Sequence, residues 1–258
     1  MLLTCLLFLF TCLVFPVTTT GKVTEAKCIQ TIQKVRKRSK DKRLIPFTQK
    51  CAQAFPKNSQ IQYMRGLLLM EQSKYLSASR YFHKATRLEP KSPISYFYLL
   101  RCYLSVDDPM KKYRGVLESL KRHVYHQPRV LAEAGNILLD HGKMQTAYRY
   151  FKSLIEGDFK EKWIYYLKLG QMYLLVQKDK LALESLSLSF QKKPEEAMTM
   201  YFLAKVHQRS FNKAFAHDFY KRSIQKGLQA EYASDAKAQI AHLEATLPKS
   251  KDAGKQTK

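Results

Sequence analysis

Apolar residues return every three or four positions through most of the chain, and short polar stretches interrupt them at intervals. With 3.6 residues per turn such positions share one face, so the pattern predicts amphipathic helices. Tyr96, Leu99, Leu100 and Tyr103 make one stripe. Tyr113, Val116, Leu120 and Val124 make another beyond a turn at Val106-Asp107-Asp108-Pro109. Ser92 followed by Pro93 reads as an N-cap with a first-turn proline. Earlier in the chain, Cys28, Ile29, Ile32 and Val35 share a face, as do Phe47, Cys51 and Phe55. Tyr232, Ala236, Ile240 and Leu243 repeat the pattern near the end, until Pro248. The chain reads as all-α, with helices joined by short turns.

The helices recur with a period. Gly66, Gly135, Gly170 and Ala204 are separated by 69, 35 and 34 residues, and Ala78, Ala147, Ala182 and Ala216 by the same intervals. Phe82, Phe151, Leu186 and Tyr220 keep that register. Three residue classes returning together near one period mark a repeat array. Within residues 59–92, Gly66, Ala78, Phe82, Ala85 and Pro90 occupy the eighth, twentieth, twenty-fourth, twenty-seventh and thirty-second positions. This resembles the tetratricopeptide repeat (TPR) unit, whose motif has small residues, an aromatic and a proline at those places.

The resemblance implies a TPR-type α-solenoid of antiparallel helix pairs, wound as a right-handed superhelix with a C-terminal capping helix. Small residues at the eighth and twentieth positions let paired helices approach closely. The aromatic fills space toward the next repeat, and proline ends the second helix. The array of about five units spans 59–228, with a degenerate leading pair over 21–58, a capping helix over 229–247 and a disordered basic tail over 248–258. The long interval between Gly66 and Gly135 holds one unit with Val116 or Lys112 where the family has Ala.

Residues Leu2 to Val17 form an apolar run, followed by Thr18, Thr19, Thr20 and Gly21. Sixteen residues is short of the roughly 20 that span a bilayer, so 1–20 reads as a signal peptide cut after Thr19 or Thr20. An uncleaved membrane anchor is the alternative, because residues 22–55 carry ten basic and two acidic side chains and positive flanks tend to stay cytoplasmic. Export to the periplasm, the envelope or the medium is expected on the first reading. There Cys28 and Cys51 can pair across two adjacent helices; the alternative is that Cys28, Cys51 and Cys102 are all small buried apolar residues.

Lys and Arg outnumber Asp and Glu by 45 to 21, for a net charge of +24. That excess favours anionic lipid or another polyanion and disfavours basic partners, although cations scattered over nearly every segment also read as solvated helix faces. The densest run, Lys34 to Arg43, fits an anionic headgroup surface or a solvated helix end. No phosphate loop, nucleophile elbow or metal-protease motif is present. His123 and His126 lack a third ligand nearby in sequence. No catalytic residue, metal, cofactor or small-molecule substrate is expected.

In the family, partners lie along the concave surface at the second, fifth, sixth, ninth, twelfth and thirteenth positions of each first helix. By resemblance these are Tyr63, Met64 and Leu67, then Phe97, Tyr98 and Arg101, then Arg129, Glu133, Asn136 and Asp140. Leu167, Lys168 and Gln171 follow, then Tyr201, Phe202, Lys205 and Arg209. A surface aromatic and apolar at both ends fits a protein or peptide partner; packing of Tyr63, Phe97 and Tyr201 against neighbouring helices is the other reading. The chaperone-tail carboxylate clamp of some family members needs Lys and Asn where Tyr63 and Leu67 stand, so that clamp is not expected. The reading is a protein-interaction scaffold that assists assembly of envelope or surface structures; the alternative is a basic protein that binds an anionic membrane or other polyanion.

Overall fold

The computed structural model describes residues 23–36, 44–106 and 111–246. The leader, the basic run beyond Arg36, the turn at 107–110 and the tail from 248 lie outside the described residues. Among the described residues there is no strand. A leading pair, α1 (Glu25–Arg36) and α2 (Leu44–Ala54), precedes α3 (Ser59–Glu71) and α4 (Tyr75–Leu88). Next come α5 (Pro93–Ser105), α6 (Tyr113–Val124), α7 (Pro128–Asp140) and α8 (Met144–Glu156). The rest are α9 (Trp163–Leu175), α10 (Asp179–Lys192), α11 (Ala197–Arg209), α12 (Lys213–Gln225) and α13 (Ala230–Thr246).

The repeated small residues set the hairpin spacing. A Cβ added at Gly66 would lie 2.8 Å from the Phe82 ring, one at Gly135 2.1 Å from Phe151, and one at Gly170 2.4 Å from Leu186. The twenty-fourth side chain therefore lies over the eighth position of its own hairpin, in addition to the space toward the next repeat that the motif assigns it. Phe82 does both, since its ring also stacks on Tyr98 of the following pair at 5.4 Å. Ala78, Ala147, Ala182 and Ala216 are all fully buried, so the recurrent alanines occupy equivalent surroundings.

Neighbouring hairpins stack into a core running from Leu67 to Val206. Each odd-numbered helix from α1 to α9 touches the next odd-numbered helix, but among the described residues no contact of that extent joins successive even-numbered ones. The first helices therefore lie closer together than the second, and they line the inner side of a TPR-type α-solenoid. Helix α13 closes the far end over α12, burying Ala236 and Leu243 beside Tyr201 and Tyr220. Tyr201 OH donates to Asp235 Oδ2 at 2.5 Å, and Gln208 Nε2 donates to Gln239 Oε1 at 2.7 Å, fixing this cap.

Four of the hairpins share one tight turn of three residues: 72–74, 141–143, 176–178 and 210–212. The central residue is left-handed in each, with φ of 59° at Ser73, 68° at Gly142, 57° at Gln177 and 59° at Phe211. The next N–H then reaches back to a carbonyl of the preceding helix, as Lys74 does to Leu69 and Asn212 to His207, the bond of a Schellman ending. Only Gly142 adopts that conformation without a Cβ clash. Phe211, 88% exposed, makes little use of its ring, so Phe211→Gly should raise stability by about 0.5 kcal/mol. A left-handed penalty of about 1–2 kcal/mol is relieved, and glycine's added chain entropy offsets about 0.5–1 of it. A higher urea midpoint would register the gain.

The α5–α6 hairpin departs from this plan. Its connection covers residues 106–112, so α6 begins four residues later in the unit than α4, α8, α10 and α12 do in theirs. Val116, 6% exposed, consequently takes the twentieth position, while Lys112 stays outside the helix at its N-cap. Ser92 has the extended backbone of an N-cap but its side chain makes no capping bond, whereas Asn58 Oδ1 accepts from the Ile61 N–H at 2.9 Å.

The leading pair is held differently. Cys28 and Cys51, both fully buried, form a disulfide between α1 and α2. Their apolar packing is confined to two small clusters against α3 that include Ile32, Leu44, Ile61 and Met64. Cys102 is a free, buried cysteine whose thiol is pushed up to about 12 by burial.

Candidate interaction groove

The inner side carries a cleft in the C-terminal half of the array. There α7, α9, α11 and the start of α13 enclose a groove of about 680 Å³, within the range of roughly 300–1,000 Å³ typical of binding clefts. Arg129, Ala132, Glu133 and Asn136 form one wall. The floor comes from Trp163, Ile164, Leu167, Lys168 and Gln171, with Leu174 and Leu175 at one end. Met198, Phe202, Lys205 and Arg209 face them, and Tyr232 with Gln229 closes the side.

Buried bonds fix the floor. Ser189 and Thr199, both fully buried, are 3.0 Å apart, and Ser189 Oγ donates to the Trp163 carbonyl at 2.9 Å, which ties α9, α10 and α11 together. The Trp163 indole, 6% exposed, lies under Lys193 Nζ at 4.2 Å, a cation–π contact that holds the ring in place.

Charge in the groove is uneven. Lys168 Nζ donates to Gln171 Oε1 at 3.2 Å. Burial lowers its pKa, against the opposing pull of Glu133 and Asp140. Neither carboxylate forms an ion pair with Lys168 among the described residues. Glu133 instead accepts from Asn136 Nδ2 at 3.1 Å. Arg209 is braced by Asp179 at 3.2 Å and by the Leu174 carbonyl at 3.0 Å. Lys205 Nζ donates to Tyr201 OH at 3.2 Å, with Asp235 at 3.7 Å.

Of the residues expected to contact a partner, the groove gathers Arg129, Glu133, Asn136, Leu167, Lys168, Gln171, Phe202, Lys205 and Arg209. Met64, Leu67 and Tyr201 are buried at 7, 3 and 2% exposure, which corrects their assignment to the open surface. Tyr201 packs edge-on against Tyr220 of α12 and Tyr232 of the cap, and Met64 packs with Ile32 and Leu44 of the leading pair. Tyr63 and Tyr98 are half-buried in a ring cluster with Phe82. Phe97 packs on the main core, and Arg101 is half-buried with its Nε unpartnered. These four lie outside the groove.

Several lining residues lie at concave positions of the unit but were not among those expected from the resemblance. Ile164 and Met198 stand at the second position, Ala132 at the fifth, and Leu174 and Leu175 at the twelfth and thirteenth. Tyr232 and Gln229 belong to the cap, where no repeat numbering applies. Among the described residues no group of acidic, His or Cys side chains can hold a metal ion, and no helix is long and apolar enough to cross a membrane.

Comparison with known proteins yields fold alone. No family model and no curated protein matches the chain. Among solved structures, yeast Tom70 superposes with a TM-score of 0.56 at 16% identity, covering 86% of this chain and 47% of that one. This chain thus spans about half the length of that relative. PilF of Pseudomonas aeruginosa gives 0.46 at 16% identity, over 73% of this chain and 90% of that one. A tetratricopeptide repeat protein of Parabacteroides merdae gives 0.45 at 15%, over 87 and 86%.

Proposed function

We propose that this protein is an interaction scaffold that captures an acidic, partly apolar peptide segment of a protein partner in the groove between α7 and α13. The observation that carries the reading is Lys168, a partly desolvated ammonium without an ion-pair partner among the described residues, set beside Trp163, Leu167 and Phe202. A carboxylate brought to Lys168 gains a charge-assisted bond in a place of reduced solvation. Apolar side chains of the same segment gain burial against the aromatic floor.

Export to an oxidising compartment, and a role there in assembling envelope or surface structures, is the setting we propose. The Cys28–Cys51 disulfide favours it, since such bonds persist outside reducing cytosol.

Affinity capture of the native protein identifies the partner, and Trp163 fluorescence then reports groove occupancy. Phe202→Ala and Lys168→Gln should each weaken binding about tenfold with helicity unchanged. Binding should fall far less steeply with salt than the many-phosphate contacts of a polyanion complex. Undiminished capture by both variants would remove the groove from the account.

A further inference from the structure

A second concavity lies at the opposite end of the molecule, between α2, α3 and α4. It measures about 480 Å³ and is lined by Gln49, Arg65, Leu69, Lys74, Ser77, Arg80, Tyr81 and Lys84. Four of these eight residues are cations and none is acidic. Arg65 is only 5% exposed. Its Nη1 donates to the Ile45 carbonyl at 2.7 Å and to Thr48 Oγ1 at 3.0 Å, and its Nη2 donates to Gln49 Oε1 at 3.4 Å. Its Nε is buried and finds no partner. Every partner of this guanidinium is neutral, so a buried positive charge stands without a counter-charge among the described residues.

The cations around it are equally uncompensated. Lys74, Arg80 and Lys84 are exposed, and none pairs with a carboxylate among the described residues. Arg65 and Lys84 both lie over the half-buried Tyr81 ring, at 5.8 and 5.6 Å from its centroid. A shared ring holds the two like charges near one another, although like charges repel. Ser77 and Gln49 add neutral donors.

We propose that this hollow binds a phosphomonoester group, with Arg65 at its floor and Lys74, Arg80 and Lys84 around its mouth. A carboxylate offers two oxygens and one negative charge. A phosphomonoester offers three strong acceptors and up to two charges, which matches a cluster of four cations with hydroxyl and amide donors. The site shares no residue with the groove and does not depend on the function assigned there.

Calorimetric titration of the full chain with inorganic phosphate, and co-sedimentation with phosphatidylcholine vesicles with and without phosphatidic acid, test the site. Saturable binding to either probe is expected. It should fall about tenfold in R80Q/K84Q and persist in K160Q/K180Q, which loses equal charge elsewhere. Displacement of the vesicles by free phosphate would assign both probes to the hollow. Binding by phosphate alone identifies a soluble ligand, and binding by vesicles alone a lipid headgroup. Equal losses in the two double variants, or no saturable binding of either probe, overturn the proposal. Circular dichroism confirms that each variant is folded.

Discussion

Reduction of the Cys28–Cys51 disulfide is expected to destabilise α1 and α2 by about 3 kcal/mol, with little effect on the rest of the array. The bond closes a loop with a sequence separation of 23, and removing such a constraint restores that much chain entropy to the unfolded segment. Elsewhere in the solenoid a hairpin is covered on both sides. Here the packing consists of two small clusters against α3, so the crosslink supplies a larger share of the hold. In a stacked array the loss stays near the end where it occurs. Hydrogen exchange under reducing conditions should show amides of α1 and α2 losing protection about a hundredfold, while those of α7 to α11 keep theirs. Uniform loss across the chain, or none at all, would contradict this.

Two glycine-to-alanine substitutions should move stability in opposite directions. Gly115 lies exposed in α6 with nothing within 4 Å of an added Cβ, so Gly115→Ala should gain the helix propensity difference of about 1 kcal/mol. Gly135→Ala places its Cβ 2.1 Å from the ring of Phe151, itself fully buried. The ring must shift in a packed interior, which costs about 1–3 kcal/mol or more and exceeds the propensity gain. A net loss of about 1–2 kcal/mol is expected, read as a lower urea midpoint with the slope unchanged. Equal and favourable shifts for both variants would mean that the hairpin spacing is not set at the eighth position.

The sequence made the repeat legible because the residues that set its geometry are chemically restricted. Only a residue without a Cβ fits under Phe151, and only small side chains fit where Ala147 and Ala182 lie. A restriction of that kind survives in the letters. The groove was partly legible for the same reason, since Lys168, Phe202 and Lys205 follow from their place in the unit. Tyr201 did not, because the neighbouring Tyr220 and Tyr232 decide its burial, and Tyr232 sits on the cap beyond the repeat. The shifted start of α6 was also hidden: a longer turn moves the whole second helix, and no single residue announces it. Nothing in the sequence marks Arg65 as part of a site, because its burial among neutral partners arises only when α2 folds against α3.

Contacts that stay between nearest and next-nearest helices also govern how quickly the molecule assembles. No pairing has to wait for distant ends of the chain to meet, which is the condition under which helical domains fold in about microseconds to milliseconds. A hairpin completed during synthesis can dock on its predecessor while later hairpins are still unmade, so apolar faces need be bare only briefly.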